Sequence, residues 1–353
     1  MNYRILNINA GGPGAEANIL IIYTGGTIGM ITDDTGSLVS FNFRNILDKI
    51  PVLKSLKLRL TVISFPEPID SSDINLYHWV DLGYIIHENY NQYDGFVVLH
   101  GTDTMAFTAS ALSFILEGLN KPVIFTGAQL PIGATRSDAR ENLITALEMA
   151  GTRLKGKPVV PEVCIYFNNH LLRGNRAKKA ESIHFDAFES ENYPPLAEAG
   201  VVIDYNFTAI NPYSDEARLK FNHKLDSNVA ILKLFPGISQ TVIDSILNIK
   251  GLRGVVLETY GSGNATTEKW FLDSLEKAIN NGIIILNVSQ CTGGRVLQGR
   301  YETSRMLPKL GVLSGSDLTT EAAITKMMML LGTESDPDKV KERLVLPICG
   351  EMS

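Results

Sequence analysis

Strands that end in turns rich in glycine and hydroxyl groups constrain the fold of this chain more than any other feature. The apolar run at residues 95–99 stops at the turn HGTDT (100–104), and a long apolar segment follows. This order predicts a buried strand, a tight turn and a helix. The run at residues 19–23, followed by TGGT (24–27), has the same form. Because ligands of open α/β sheets bind outside the carboxyl ends of strands, both turns are candidates for chemistry.

The same alternation of apolar runs and helical periodicity continues through most of the chain. Further strands are predicted at residues 58–65, 121–127, 163–167, 229–235, 255–260 and 283–288. Helices are predicted at residues 76–90, 105–119, 137–154, 240–249, 267–280, 319–331 and 336–344. Alternating strands and helices predict an α/β protein with two three-layer domains, mainly parallel sheets and a larger N-terminal domain.

Length and local composition predict where the domains begin and end. A single hydrophobic core stops growing at roughly 250–300 residues. This chain has 353 residues, so two domains are expected. The pattern weakens between residues 193 and 227, which contain three prolines. We therefore predict a flexible lead-in at 1–18, an N-terminal domain at 19–205, a linker at 206–228 and a C-terminal domain at 229–353. Residues 30–40, rich in Thr, Asp, Gly and Ser, are predicted to form a mobile loop, and residues 43–57 carry helical spacing.

Composition and charge exclude several classes of protein. Hydrophobic residues make up 44% of the chain and charged residues 20%, which is typical of a globular protein. The net charge of −6 disfavours a nucleic-acid partner, which would require a basic face. No apolar run approaches the ~20 residues that span a membrane, and no signal peptide is evident. Three scattered cysteines without metal spacing favour free thiols in a reducing compartment, so we expect a cytoplasmic protein.

The TGGT turn (24–27) and the HGTDT turn (100–104) each have a structural and a chemical interpretation. A glycine turn can have a purely structural role. Alternatively, its backbone amides and threonine hydroxyls could stabilise a developing oxyanion, and a threonine hydroxyl could serve as a nucleophile. A threonine or aspartate in the HGTDT turn can cap a helix, although a second hydroxyl and a carboxylate then stay unexplained. His100 is the tempting general base, and we expect it to be structural. A lysine in the basic stretch 173–179 is the alternative base, since burial lowers the pKa of a lysine.

Both turns match the two signature motifs of a known family. The segments YTGGTIG (23–29) and HGTDTM (100–105) resemble those of the bacterial L-asparaginases, most closely the cytoplasmic type I branch. Supporting matches run through both predicted domains: DSSD (70–73), FNN (167–169), RGNR (173–176) with Lys179, YG (260–261) and GN (263–264).

The resemblance implies an activity and a set of site residues. It implies hydrolysis of L-asparagine to L-aspartate and ammonia, without a cofactor or metal, by a homodimer or homotetramer. Thr27 matches the nucleophile that forms the acyl-enzyme. Thr102, Asp103 and Lys179 match the group that activates threonine or water, and Thr102 and Asp103 also contact the substrate. Asp70, Ser71 and Ser72 match the stretch that holds the substrate's α-carboxylate, and Asp103 would pair with its α-ammonium.

One departure from the family leaves the role of its loop tyrosine open. Family members carry a tyrosine in the loop after the first motif, whereas residues 30–40 contain none and Ser37 falls near that position. Tyr23 or another tyrosine could substitute, proton transfer could run differently, or activity could be low. Lys178 adjoins Lys179, so the assignment of the lysine could shift by one position.

The alternatives to an asparaginase are an asparaginase-like subunit of a tRNA-dependent amidotransferase and a catalytically silent sensor of asparagine or aspartate.

Overall fold

The chain is divided into two units, residues 1–221 and residues 222–353. The structure is a computed structural model, and it describes residues 4–8, 15–32, 38–40, 50–299 and 302–353. Each unit has its own strands and its own set of buried apolar side chains.

The N-terminal unit contains seventeen described strands and three described α-helices. The strands are β1 (Arg4–Ile8), β2 (Ala17–Tyr23), β3 (Met30–Thr32), β4 (Leu38–Ser40), β5 (Leu58–Ser64), β6 (Gly95–Leu99), β7 (Leu116–Glu117), β8 (Val123–Thr126), β9 (Arg153–Leu154), β10 (Lys157–Pro158), β11 (Val163–Phe167), β12 (His170–Arg173), β13 (Lys178–Lys179), β14 (Phe188–Glu189), β15 (Ala197–Ala199), β16 (Ile203–Tyr205) and β17 (Lys220–Phe221). The helices are α1 (Leu76–Asn89), α2 (Met105–Ile115) and α3 (Ala139–Gly151). Short 3-10 turns cover Thr27–Gly29, Pro51–Ser55, Ser71–Asp73 and Gly174–Arg176.

A nine-stranded sheet in the order β1-β5-β2-β6-β8-β11-β12-β15-β16 forms the middle layer of this unit. The five strands from β5 to β11 are parallel, and antiparallel strands extend the sheet at both edges. Residues 19–22 of β2 are completely buried because helices cover both faces of the sheet. Since β5, β2 and β6 are parallel neighbours, their carboxyl ends lie side by side.

Several segments of the N-terminal unit differ from the prediction. The predicted flexible lead-in contains the strand β1, which pairs antiparallel with β5 and extends the sheet at that edge. The predicted loop 30–40 contains the hairpin β3–β4, while residues 33–37 lie outside the described residues. Of the segment 43–57, residues 43–49 lie outside the described residues, and Pro51–Ser55 is a 3-10 turn.

The C-terminal unit is a smaller α/β domain. Its four described strands, β18 (Val229–Lys233), β19 (Gly254–Thr259), β20 (Ile284–Ser289) and β21 (Leu313–Ser314), form one parallel sheet in chain order. Its helices are α4 (Gln240–Leu247), α5 (Lys269–Asn280), α6 (Glu302–Leu310), α7 (Thr320–Thr333) and α8 (Pro337–Leu344). The predicted fold class is thereby confirmed. The prediction missed α6, which contains Pro308, and the two-residue strand β21.

None of the helices in the described part of the chain combines the length and the apolar character that a membrane crossing needs.

Candidate active site

Two glycines in the first motif allow neighbouring strand ends to pack backbone against backbone. Gly25 has φ +142°, and a Cβ atom there would collide with the carbonyl oxygen of Ile69. Gly26 has φ +88°, and a Cβ atom there would lie 2.6 Å from the backbone nitrogen of Gly101. Both backbone conformations are ones that side chains with a Cβ rarely adopt. The turn after β2 therefore lies directly against the turns after β5 and β6.

Hydrogen bonds and one further close approach hold these three turns together. The Ile69 N–H donates to the Thr24 carbonyl at 2.7 Å, and the Thr24 N–H donates to the Leu99 carbonyl at 3.0 Å. A Cβ atom at Gly101 would lie 2.5 Å from Ser71 Oγ. Thr104 Oγ1 donates to the Ser71 carbonyl at 2.7 Å and does not cap α2, which has no side-chain cap.

Thr27 lies next to this contact region. Thr27 is half-buried, begins the 3-10 turn Thr27–Gly29 and directly follows Gly26, while Thr102 directly follows Gly101 on the other side of the contact. The structure therefore brings the first motif into the neighbourhood of the second.

The side chain of Tyr23 packs against the turn that Thr27 begins. A Cβ atom at Gly29 would collide with Tyr23 Oη, so the phenol packs directly against that glycine. Burial raises the pKa of Tyr23 to about 12, which keeps the phenol protonated at neutral pH. Ser37, in the loop where the family carries its tyrosine, lies outside the described residues.

Lys179 contacts two residues of the second motif. Its Nζ donates to Thr102 Oγ1 at 2.8 Å and to Asp103 Oδ1 at 2.6 Å. The side chain of Lys179 is 16% exposed and that of Asp103 is 66% exposed, so the lysine is largely buried while its carboxylate partner stays open to solvent. A hydroxyl, an ammonium and a carboxylate in contact are a complete set for moving a proton.

Gln129 is a contact of Thr102 that the sequence analysis missed. Thr102 Oγ1 donates to Gln129 Oε1 at 3.3 Å, and Gln129 Nε2 donates to the His184 carbonyl at 2.9 Å. Gln129 follows the apolar strand β8 in the sequence TGAQ (126–129). A third apolar strand that ends in a glycine turn was therefore the signal that could have identified this residue.

The stretch DSSD (70–73) has its own internal hydrogen bonds. Asp70 Oδ1 accepts from the Ser72 N–H at 2.9 Å and from Ser72 Oγ at 2.8 Å. The Ser72 N–H, followed by its hydroxyl, holds the pKa of Asp70 below its ordinary value. Asp70 thus caps the 3-10 turn Ser71–Asp73, and Asn75 caps α1.

His100 is a buried structural residue. Its Nδ1 lies 2.7 Å from the Gly101 carbonyl and its Nε2 lies 3.0 Å from Thr108 Oγ1, which accepts from Trp79 Nε1. Burial lowers the pKa of His100 to about 4, so the ring is neutral at pH 7. A neutral ring donates from Nδ1 and accepts at Nε2, which uses both nitrogens within the core.

Among the described residues, no group of three or more His, Cys, Asp or Glu side chains is arranged to hold a metal ion.

Known proteins match both units of the chain. The family model "Asparaginase, N-terminal" matches residues 18–211, and "Glutaminase/Asparaginase C-terminal domain" matches residues 228–344. The chain is 39% identical to L-asparaginase 1 of Escherichia coli K12, with 96% of this chain and 98% of that protein covered. It superposes on the crystal structure of L-asparaginase I from Vibrio cholerae with a TM-score of 0.87 and 38% identity, covering 96% of this chain and 100% of that one.

A third relative carries a different name. A glutamyl-tRNA(Gln) amidotransferase component of Pyrococcus abyssi is 33% identical, with 97% of this chain and 78% of that protein covered. Because both family models and relatives above 30% identity span nearly the whole chain, this protein belongs to the asparaginase family, as its two motifs predicted.

Proposed function

We propose that this protein hydrolyses L-asparagine to L-aspartate and ammonia through an acyl-enzyme on Thr27. The observation that carries the proposal is the contact of Lys179 Nζ with Thr102 Oγ1 and Asp103 Oδ1, beside the glycine-packed turn that bears Thr27. The name of the Escherichia coli relative, L-asparaginase 1, supports the same substrate.

The proposed reaction has two steps. Thr27 Oγ1 attacks the carbon of the side-chain amide and gives up its proton, and the C–N bond breaks as the leaving nitrogen takes up one proton and departs as ammonia. Water then attacks the resulting ester, which releases L-aspartate and restores the Thr27 hydroxyl. Covalent catalysis of this kind replaces one difficult step by two easier ones.

Proton transfer is proposed for the group around Lys179. In the resting arrangement Lys179 donates to both neighbours and Thr102 donates to Gln129. Once Lys179 has released a proton to solvent, the Thr102 hydroxyl can turn to donate to it, and the oxygen of Thr102 can accept a proton from Thr27 or from water. Asp103 stabilises the ammonium that forms.

Substrate binding is proposed for both charged ends of asparagine. The Asp103 carboxylate, mostly exposed, is available to pair with the α-ammonium, and Thr102 lies beside it. Ser71 and Ser72, with Asp70 fixing the turn that carries them, are proposed to hold the α-carboxylate. Fixing both ends of a zwitterion orients its side-chain amide. This lowers the activation barrier, because the substrate loses its translational and rotational freedom on binding and not in the transition state.

Replacement of the nucleophile tests the proposal. Thr27→Ala removes the only atom that forms the proposed ester, so ammonia release from asparagine is expected to fall by at least about 10³-fold while the protein stays folded. Thr27→Ser, which keeps a hydroxyl, is the matched control and should retain a measurable rate. Turnover in Thr27→Ala close to that of the wild-type protein would refute the assignment.

A coupled ammonia assay also separates the alternatives. Asparagine binding without any ammonia release would favour a silent sensor over an enzyme. Ammonia release that depends on an aminoacylated tRNA would favour the amidotransferase alternative. Release from asparagine alone supports the asparaginase.

We also propose the remaining features of the organisation. These are domains at residues 19–205 and 229–353, a lead-in at 1–18, a linker at 206–228, a homodimer or homotetramer, and a cytoplasmic location. Light scattering coupled to size-exclusion chromatography tests the oligomer, since a monomer at micromolar concentration would contradict it.

A further inference from the structure

A polar cavity lies in the N-terminal unit at the end of the parallel strands opposite the candidate active site. It has a volume of about 400 Å³ and is bordered by Asp94 and Lys121, the hairpin β9–β10 and the segment 213–218. Asp94 directly precedes β6, whereas His100 and the HGTDT turn follow it. Five residues of strand, roughly 16 Å, therefore separate this cavity from the candidate active site.

Four cationic side chains and two carboxylates line the cavity. The cations are Lys121, Arg153, Lys157 and Arg218, and the carboxylates are Asp94 and Asp215. Only one ion pair forms among them in the described part of the chain, between Lys157 and Asp215. The lining therefore has an excess of positive charge that its own acids do not balance.

Backbone carbonyls hold the other three cations in place. Arg153 donates to the carbonyls of Ala150, Thr152 and Asp94 at 2.8–3.0 Å. Lys121 Nζ donates to the carbonyls of Tyr90 and Tyr93 at 2.5 and 2.8 Å. Carbonyl dipoles orient a cation without cancelling its charge, so these side chains are fixed in position and stay electropositive.

Arg218 completes the lining in the same manner. Its Nη1 donates to the carbonyls of Asp215 and Ala217 at 3.1 and 2.9 Å, and its side chain is exposed at the rim. Asn120 fixes the neighbouring backbone, because its side chain exchanges two hydrogen bonds with Ser214. The segment 213–218 is thus held against the amino ends of β6 and β8.

Burial adds to the effect of the unbalanced charge. Burial lowers the pKa of Lys121, Asp94 partly offsets this, and the nearby Arg153 lowers it further. Burial also lowers the pKa of Arg153. Both groups are therefore partly removed from water, where an anion would meet less screening than at an open surface.

We propose that this cavity binds the phosphate group of a small anion, either free phosphate or a phosphate monoester. Phosphate presents several acceptor oxygens in a compact volume and matches both the planar guanidinium fork and the lysine ammonium. The two tyrosines at the wall, Tyr90 and Tyr213, leave a less polar side for the organic part of an ester. The site is distinct from the asparaginase centre, so its occupancy can be tested independently of hydrolysis.

Calorimetric titration tests this proposal with three probes at matched ionic strength: inorganic phosphate, adenosine monophosphate and adenosine. Saturable binding of the two phosphate-bearing probes, without binding of adenosine, is expected. At least tenfold tighter binding of the monoester would identify an ester as the ligand class, and equal affinities would identify free phosphate.

Charge-removing variants decide whether the binding occurs in this cavity. Arg218→Gln at the exposed rim and Lys121→Gln at the wall should each weaken phosphate binding about tenfold or more. Arg140→Gln, an exposed arginine of α3 outside the cavity, should leave it unchanged. Asparagine hydrolysis in phosphate-free buffer should be unaltered in Arg218→Gln, which shows that the fold is intact. The absence of saturable binding by either phosphate probe, or equal affinity in Arg218→Gln and the wild-type protein, would overturn the proposal.

Discussion

At the scale of single residues, the strand β13 decides which of two adjacent lysines reaches the second motif. Neighbouring side chains of a strand point to opposite faces, so Lys178 and Lys179 cannot both contact the same group. Lys179 contacts Thr102 and Asp103, whereas Lys178 lies opposite Glu189 in the pairing with β14. The sequence left the two open, and strand geometry chooses between them.

Single replacements of the two lysines provide a matched pair of tests. Lys179→Met is expected to lower kcat/KM for asparagine by about 10²–10⁴-fold, the range typical of a lost acid–base group. Lys178→Met removes the same charge from the neighbouring position and should change kcat/KM by less than about threefold. Steady-state ammonia assays on both variants check the assignment, and the reverse order of effects would transfer the role to Lys178.

The buried ring of His100 makes stability depend on pH. Its pKa is about 4 in the folded protein and near 6.5 in an unfolded chain, so the unfolded state binds more protons between these values. The contribution of the neutral ring to stability is therefore present above about pH 6.5 and is lost as pH falls towards 4. Two and a half pH units correspond to at most about 3 kcal/mol.

His100→Asn tests this pH dependence. The free energies of unfolding of the wild-type protein and the variant, measured by urea titration from pH 7 to pH 4, should converge as the pH falls, because only the wild-type protein loses the contribution of His100. Parallel curves across this range would show that His100 does not titrate differently in the folded and unfolded states.

At the scale of elements, the turn after β2 determines whether the three strand ends can meet. Gly25 packs on the backbone of Ile69 and Gly26 on that of Gly101, so the absence of a Cβ atom at both positions is a steric requirement. Threonines on either side of these glycines would otherwise lie apart from the second motif. The glycines thus position the turn that carries Thr27, the proposed nucleophile, against the second motif.

Gly26→Ala is expected to disrupt this contact. The strained φ of +88° costs about 1–3 kcal/mol for a residue with a Cβ atom, and the methyl group must also displace the Gly101 backbone. We expect lower stability together with at least about 100-fold lower kcat/KM.

Gly156→Ala is the matched control, because Gly156 has φ +78° but no atom within 4 Å of the added Cβ. It should lose stability from strain alone and retain its activity. Equal activity of the Gly26 and Gly156 variants would contradict the positioning role of the turn.

At the scale of the whole molecule, a deeply buried ion pair is present in the described part of each unit. In the N-terminal unit Glu162 pairs with Arg173, whose guanidinium also donates to the Ala209 carbonyl at 2.8 Å. In the C-terminal unit Lys326 pairs with Glu351 at 2.6 Å, and both side chains are completely buried. Lys326 also donates to the carbonyls of Leu344 and Leu346, so it joins α7 to the last residues of the chain.

Removal of one partner should show how much the C-terminal segment depends on this pair. Glu351→Gln leaves a buried ammonium without its counter-charge, and loss of about 3–5 kcal/mol of unfolding free energy is expected. Asp338→Asn breaks an exposed ion pair with Lys341 in the same unit and should cost less than about 1 kcal/mol. Chemical denaturation of both variants provides the comparison. Equal losses of unfolding free energy would show that burial does not determine how much destabilisation follows the loss of one partner of an ion pair.

The sequence by itself determined the alternation of strands and helices, the two α/β units, and the two turns that carry the motifs. These features are local, since an apolar run and a glycine-rich turn specify a buried strand and its end wherever they occur. Only the tertiary structure decided which strand ends become neighbours, which of Lys178 and Lys179 faces Thr102, and that Gln129 joins them. It also brought Arg153 and Arg218 to one cavity from segments 65 positions apart in the numbering. Strand order and side-chain direction arise from long-range packing, and no local pattern of residues encodes that packing.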